Sequence, residues 1–168
     1  MKSDLKTAIK HLIGKKCWAV SGGKGTGSMF KVALGKKVKR EFPLKKFPLK
    51  NKHLSKHLRY FDGEFRLFVQ CCAWRLQKKN KVICSSTETQ ETIGFEIKKL
   101  VGHRISQINL LNSALDLSVE FDKMYTLTLF CDQTYEPKPL TNYTVFCPEG
   151  SYSVEARSKL DFACGGSG

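Results

Sequence analysis

Two stretches decide the fold: Leu5-Lys6-Thr7-Ala8-Ile9-Lys10-His11-Leu12-Ile13-Gly14-Lys15-Lys16-Cys17-Trp18-Ala19-Val20 and Ile93-Gly94-Phe95-Glu96-Ile97-Lys98-Lys99-Leu100-Val101-Gly102-His103-Arg104-Ile105-Ser106-Gln107-Ile108. Laid over one another without a gap, Leu5, Ile9, Leu12, Ile13 and Gly14 fall on Ile93, Ile97, Leu100, Val101 and Gly102, an offset of 88 residues. Apolar residues at i, i+4, i+7 and i+8 make one buried stripe on an α-helix. Gly14 and Gly102 stand where a helix stops in the left-handed conformation that a residue without a Cβ adopts freely. Lys15-Lys16 and His103-Arg104 then set cations beside the negative helix end. A short helix, a glycine and a strand therefore occur twice.

Working outward, Ser3 or Asp4 can cap the first helix, and Thr87-x-x-Gln90 offers a capping box for the second. After the strand Cys17–Val20 comes a glycine-rich loop, Ser21–Ser28, and then Phe30, Val32 and Leu34 alternate along another strand. Gly22 and Gly27 have the spacing of a phosphate-binding loop, but Ser28 stands where the lysine belongs and a strand follows instead of a helix. The loop reads as a hairpin connection able to touch phosphate only through backbone N–H groups. Gly35-Lys36 and Asp122-Lys123 read as matching turns, as does Asp62-Gly63-Glu64. In the first copy the strands Phe65–Val69 and Ala73–Leu76 are matched to Tyr143–Cys147 and Tyr152–Val154 in the second.

The expected fold is α+β: two tandem related halves, each a short helix followed by an antiparallel β-meander, packed pseudo-symmetrically. The first half is 1–84 with an enlarged loop at 43–63, the second is 85–160, and 161–168 is a linker-like tail. Trp18, Phe65, Leu67, Val69 and Trp74 belong to or flank the first core, and Leu117, Val119, Phe121, Leu127, Leu129, Tyr143 and Val145 belong to the second.

Composition restricts function. With 168 residues, 41% hydrophobic and 26% charged, the chain has enough apolar matter for a globular core. No apolar run reaches the length of a membrane span and the N-terminus lacks a signal-peptide core, so no membrane partner and a cytoplasmic location are expected. Seven cysteines, an odd number without CxxC spacing, read as reduced thiols and not as a disulfide framework or a zinc site. Catalytic patterns are thin. Asp116, Glu120, Asp122 and Lys123 lack nuclease spacing, no Ser-His-Asp signature stands out, and neither a catalytic residue nor a metal or cofactor is implied. The residues name no small-molecule ligand.

Charge is the strongest functional signal. Residues 1–84 carry 22 Lys and Arg against 4 Asp and Glu, a net of +18, whereas 85–168 carry 7 against 11, a net of −4. Residues 36–59 concentrate it: Lys36, Lys37, Lys39, Arg40, Lys45, Lys46, Lys50, Lys52, Lys56 and Arg59 stand against the single acid Glu41. Such a run repels itself unless an anion is near. Phe42, Phe47, His53 and His57 are interleaved with it and could stack on unpaired bases. The expectation is an exposed basic loop or short helix that binds nucleic acid or an acidic protein. His53 and His57, at i and i+4, would supply half a zinc site on a helix but lack a third ligand nearby.

The pattern Leu12-Ile13-Gly14-Lys15, Gly25-Thr26-Gly27-Ser28, Gly63-Glu64-Phe65-Arg66-Leu67-Phe68-Val69 and Ala73-Trp74-Arg75-Leu76, continued by Leu100-Val101-Gly102, Leu115-Asp116-Leu117 and Leu127–Asp132, resembles a group of small bacterial two-copy β-rich proteins. They have no established activity to carry over to any residue. Their look is similar to proteins of bacterial conflict loci, which implies a role in toxin immunity or phage defence.

Overall fold

The computed structural model describes residues 4–44, 56–134, 138 and 140–165. The protein is mostly β, with two antiparallel sheets and a few short helices. The elements are α1 (Leu5–Lys10), β1 (Cys17–Gly22), β2 (Phe30–Lys39), α2 (Lys56–Tyr60), β3 (Phe61–Val69), β4 (Ala73–Lys78), β5 (Lys81–Ser85) and α3 (Gln90–Glu96). A 3-10 turn at Ile97–Leu100 extends α3, and β6 (Ile105–Leu110), β7 (Leu117–Phe121), β8 (Tyr125–Phe130), β9 (Thr141–Cys147), β10 (Gly150–Glu155) and β11 (Lys159–Cys164) complete the chain.

One sheet has the order β1-β2-β3-β9-β10-β11 and the other β5-β4-β8-β7-β6. Each sheet thus takes strands from both sides of residue 84. The joins are β3 on β9, with Leu67 opposite Val145, and β4 on β8, with Leu76 opposite Leu127. Alternation along these strands turns Val32, Leu34, Phe65, Leu67, Tyr143, Val145 and Tyr152 of one sheet, and Trp74, Leu76, Leu117, Val119, Leu127 and Leu129 of the other, into a single buried core.

The helices behave as their stripes require, with one exception. Leu5, Ile9 and Leu12 are buried, and so are Ile93, Ile97 and Leu100. Ile13 and Val101, the last apolar residues of each stripe, are instead exposed, at 47% and 43%. The chain has already left the helix there: α1 ends at Lys10 and the 3-10 turn at Leu100, so the i+8 position no longer faces the core. Asp4 caps α1 by accepting from the Lys6 N–H at 3.1 Å. The second cap is Thr89, which accepts from the Thr92 N–H at 3.2 Å, in place of the expected Thr87.

Gly14 and Gly102 have φ of +79° and +95°, as helix stops need. The segments after them pair with each other. Gly14 N–H donates to Ile105 O at 2.7 Å and Gly102 N–H to Cys17 O at 2.8 Å. Cys17 N–H donates to His103 O at 2.8 Å and Ile105 N–H to Lys15 O at 3.0 Å. Lys16 faces Arg104 in an isolated antiparallel bridge at the centre of this exchange.

Three expectations are corrected. Gly35-Lys36 is no turn: β2 runs through it to Lys39, with a register shift between Leu34 and Lys37 that absorbs one extra residue. Asp62-Gly63-Glu64 likewise lies inside β3, where Gly63 is required because a Cβ would come within 2.4 Å of Phe65 O and 2.7 Å of Leu34 N. Residues 161–164 belong to β11 and pair with β10, so the strand continues into the stretch read as tail.

A candidate anion-binding face on the six-stranded sheet

β2 and β3 bury Val32, Leu34, Phe65, Leu67 and Val69, and so turn Lys31, Arg66 and Phe68 to the opposite face of the sheet. Lys31 pairs with Phe68 in the ladder, and its Nζ lies 5.8 Å from that ring. Arg66 pairs with Phe146 of β9, its guanidinium 4.2 Å from the ring. Lys37 Nζ lies 5.1 Å from the ring of Trp18, the residue at the register shift of β1. A cation over an aromatic face gains from the ring quadrupole.

Asp62 is the carboxylate at the middle of this face. It is buried, it ion-pairs with Arg40 at 2.9 Å and with Arg66, and its Oδ1 accepts from Gly63 N–H at 2.9 Å. Burial pushes the Lys31 ammonium below its ordinary pKa; Asp62 opposes that shift, while Arg66 and Arg40 add to it. Glu64 is held at its edge by Lys15 at 3.4 Å and by the Lys36 N–H, which, with Lys15, keep its carboxyl below the usual range. The Trp18 Nε1 and Arg66 Nε are buried with no acceptor among the described residues.

The described part of the expected basic segment lies at one end of this face. Lys36, Lys37 and Lys39 are exposed on β2, a strand and not a loop. Arg40 is half-buried and tied down, through Asp62 and through its Nε to Leu58 O at 3.2 Å, so it anchors the face more than it presents charge. Phe42 is 78% exposed, and His57 is exposed on α2. Arg59 is half-buried, and its carbonyl accepts from Leu44 N–H at 3.0 Å. Lys45, Lys46, Phe47, Lys50, Lys52 and His53 lie outside the described residues, as does the side chain of Lys56. The reading of the sequence missed Lys31, Arg66, Phe68 and Phe146. Their signal was the polar-apolar alternation of Phe65-Arg66-Leu67-Phe68-Val69, in which Phe68 falls on the side of the arginine.

The glycine-rich loop is no phosphate cradle. Gly23 N–H is taken by Thr26 Oγ1 at 2.9 Å, Gly25 N–H by Gln90 Oε1 at 2.7 Å and Thr26 N–H by Gly23 O at 3.0 Å. Gly23 touches Gly94, where a Cβ on the former would lie 2.8 Å from the Cα of the latter, and this contact explains a glycine in the middle of α3.

Five of the thiols are held protonated by burial. Burial pushes Cys17, Cys72, Cys131 and Cys147 up to about 12 and Cys84 to about 11, which suppresses the thiolate. Among the described residues no group of three or more His, Cys, Asp or Glu could hold a metal ion, and no helix is long and apolar enough to cross a membrane. No family model, no curated protein and no solved structure matches the chain.

Proposed function

We propose that this protein is a non-catalytic binding module for an anionic partner, single-stranded nucleic acid before others, held on the outer face of the six-stranded sheet. The observation that carries the reading is the row of Lys31 on Phe68, Arg66 on Phe146 and Lys37 on Trp18, continued by exposed Lys36 and Lys39. Phosphates are drawn by the cations, and unpaired bases have π-faces to set on the rings and on the Arg plane. A duplex offers the first interaction but hides the second, so single strands are preferred. Titration of labelled single- and double-stranded oligonucleotides at two salt concentrations tests this.

We also infer that the two halves descend from one helix-and-meander unit, in which β1-β2-β3 answers to β6-β7-β8 and β4-β5 to β9-β10. This revises the match of Phe65–Val69 with Tyr143–Cys147. Supporting it, the hydrogen bonds between the two post-glycine segments exchange under the 88-residue offset: Gly14 to Ile105 becomes Gly102 to Cys17. Lys15, which pairs with Glu64 and lies over Phe65, is answered by His103, which pairs with Asp122 at 2.8 Å and stands edge-on to Tyr125.

A second reading is an immunity or regulatory subunit that docks its basic half on an acidic protein, as the resemblance to conflict-locus proteins implies. It is favoured by β11, an edge strand whose six residues are all exposed, Leu160 and Phe162 among them. Such an edge can accept a strand from a partner. Tight binding to one co-encoded acidic protein, with none to oligonucleotides, distinguishes this reading.

A further inference from the structure

A cleft of about 590 Å³ opens where the glycine-rich loop leans on α3, at the Lys31 end of the same sheet face. That is the size of a small-molecule site. Three lysines line it, Lys24 from the loop, Lys31 from β2 and Lys98 from the 3-10 turn, against one carboxylate, Glu91. Phe68 and Phe95 supply apolar wall, the latter 68% exposed to solvent and so held out at the mouth instead of packed in the core. The walls are fixed without a ligand: Gly23 packs on Gly94, and Gln90 holds the loop through Gly25 N–H.

Lys24 and Lys98 are exposed beside the cleft and Lys31 is half-buried in its wall, where burial disfavours its charge, and Asp62, the carboxylate that steadies Lys31, is already engaged by Arg40 and Arg66. An anion in the cleft supplies the opposite charge that Lys31 lacks, and a dianion supplies more. Aromatic walls beside the charge select an anion with a flat apolar body over a bare one. The Gly23, Gly25 and Thr26 N–H groups of the loop are already bonded, which leaves the lysine side chains as the main source of recognition.

We propose that this cleft binds an aromatic phosphomonoester of the nucleoside monophosphate class, with the phosphate met by Lys24, Lys31 and Lys98 and the ring system laid against Phe68 and Phe95. The site shares Lys31 and Phe68 with the proposed nucleic-acid face but not the Lys36–Lys39 end, so mononucleotide binding can hold where strand binding through that end fails. The same chemistry can come as a free nucleotide or as the phosphorylated end of a strand.

Calorimetric titration of the full chain with adenosine 5′-monophosphate, adenosine and inorganic phosphate tests it. The nucleotide is expected to bind at least tenfold tighter than either fragment. Lys24→Gln and Lys98→Gln, both exposed lysines, should each weaken it about fivefold, and Phe95→Ala should bring it down to the level of inorganic phosphate, with melting temperatures unchanged. Lys36→Gln/Lys39→Gln should leave it unaltered, which separates this site from the strand-end surface. A 5′-phosphorylated tetranucleotide that binds tighter than the mononucleotide assigns the strand end as source, and one that binds weaker assigns the free nucleotide. Adenosine monophosphate bound no tighter than phosphate, or equally well by the Lys24, Lys98 and Phe95 variants, would overturn the proposal.

Discussion

Trp74 and Tyr143 make the same bond in opposite directions across the core. The Trp74 Nε1–H, from the five-stranded sheet, donates to Ser28 O just before β2 at 2.8 Å; the Tyr143 hydroxyl, from the six-stranded sheet, donates to Leu115 O just before β7 at 2.8 Å. Trp74 stands beside Leu129 in its ladder and Tyr143 beside Val69. Each aromatic ties its own sheet to the loop that begins a strand of the other. Burial holds the Tyr143 phenol well above its ordinary range, which favours the protonated, donating form.

Tyr143→Phe removes the donor and leaves the Leu115 carbonyl with the weak Cys131 Sγ–H at 3.3 Å, at a cost of about 1 kcal/mol. Trp74→Phe loses the matching bond plus indole volume, so it should cost more, about 3 kcal/mol. Urea unfolding of the two variants checks both the size and the order.

Gly14→Ala and Gly102→Ala should each cost about 1 kcal/mol, because a Cβ there meets nothing within 4 Å and only the positive φ is penalised. Gly23→Ala should cost more than either, since its positive φ is compounded by a contact of 2.8 Å with Gly94 Cα. Thermal unfolding of the three variants side by side gives the ranking. Equal losses at all three positions would contradict the packing described for the glycine-rich loop.

These glycines mark what the sequence made legible. Leu-x-Gly endings at a constant offset, with stripes Leu5, Ile9, Leu12 and Ile93, Ile97, Leu100, identify the helices because the helical period is short-range. The alternation of Val32, Leu34, Leu67 and Val69 identifies strands for the same reason. The pairing of β3 with β9 and β4 with β8 was not legible, since partners as distant in the chain as Leu67 and Val145 or Leu76 and Leu127 leave no local pattern. Gly35 and Gly63 imitated turns because a bulge and a turn both need a residue without a Cβ. At the candidate site, Lys36, Lys37 and Lys39 were legible as charge density. Lys31 and Arg66 were not, because each is one cation in an apolar strand, and its meaning comes from the ring beside it in three dimensions.

The buried thiols give the protein a pH limit. The four buried thiols Cys17, Cys72, Cys84 and Cys147, with half-buried Cys131, are raised from 9.0 to about 11 or 12 by burial, so the unfolded chain loses their protons first. The stability they contribute is fully present below about pH 9 and is lost as pH rises through the folded values near 11 and 12. Melting temperature should therefore fall above pH 9. At pH 8, a thiol reagent should modify exposed Cys164 rapidly and half-buried Cys71 next, with Cys17, Cys72 and Cys147 reacting only on unfolding.

Asp62→Asn takes the carboxylate from between Arg40 and Arg66 while both guanidiniums remain. Breaking a buried pair by removing one partner costs about 3 kcal/mol. Arg66→Met keeps the apolar stem over Phe146 and removes one of the two competing cations, so it should cost less. Equilibrium unfolding at fixed pH checks that order.

The most direct test of the binding proposal is the salt dependence of affinity for a labelled single-stranded oligonucleotide, with the wild-type chain beside Lys36→Gln/Lys37→Gln/Lys39→Gln. Each phosphate contact contributes about −0.7 to the slope of log K against log salt for single strands, so the triple variant should flatten that slope by about 2 and weaken binding to every sequence alike. The predicted result is salt-sensitive binding, tighter for the single strand than for the duplex, with that loss of slope. No binding at low salt by the folded wild-type chain, or an unchanged slope in the variant, would contradict it.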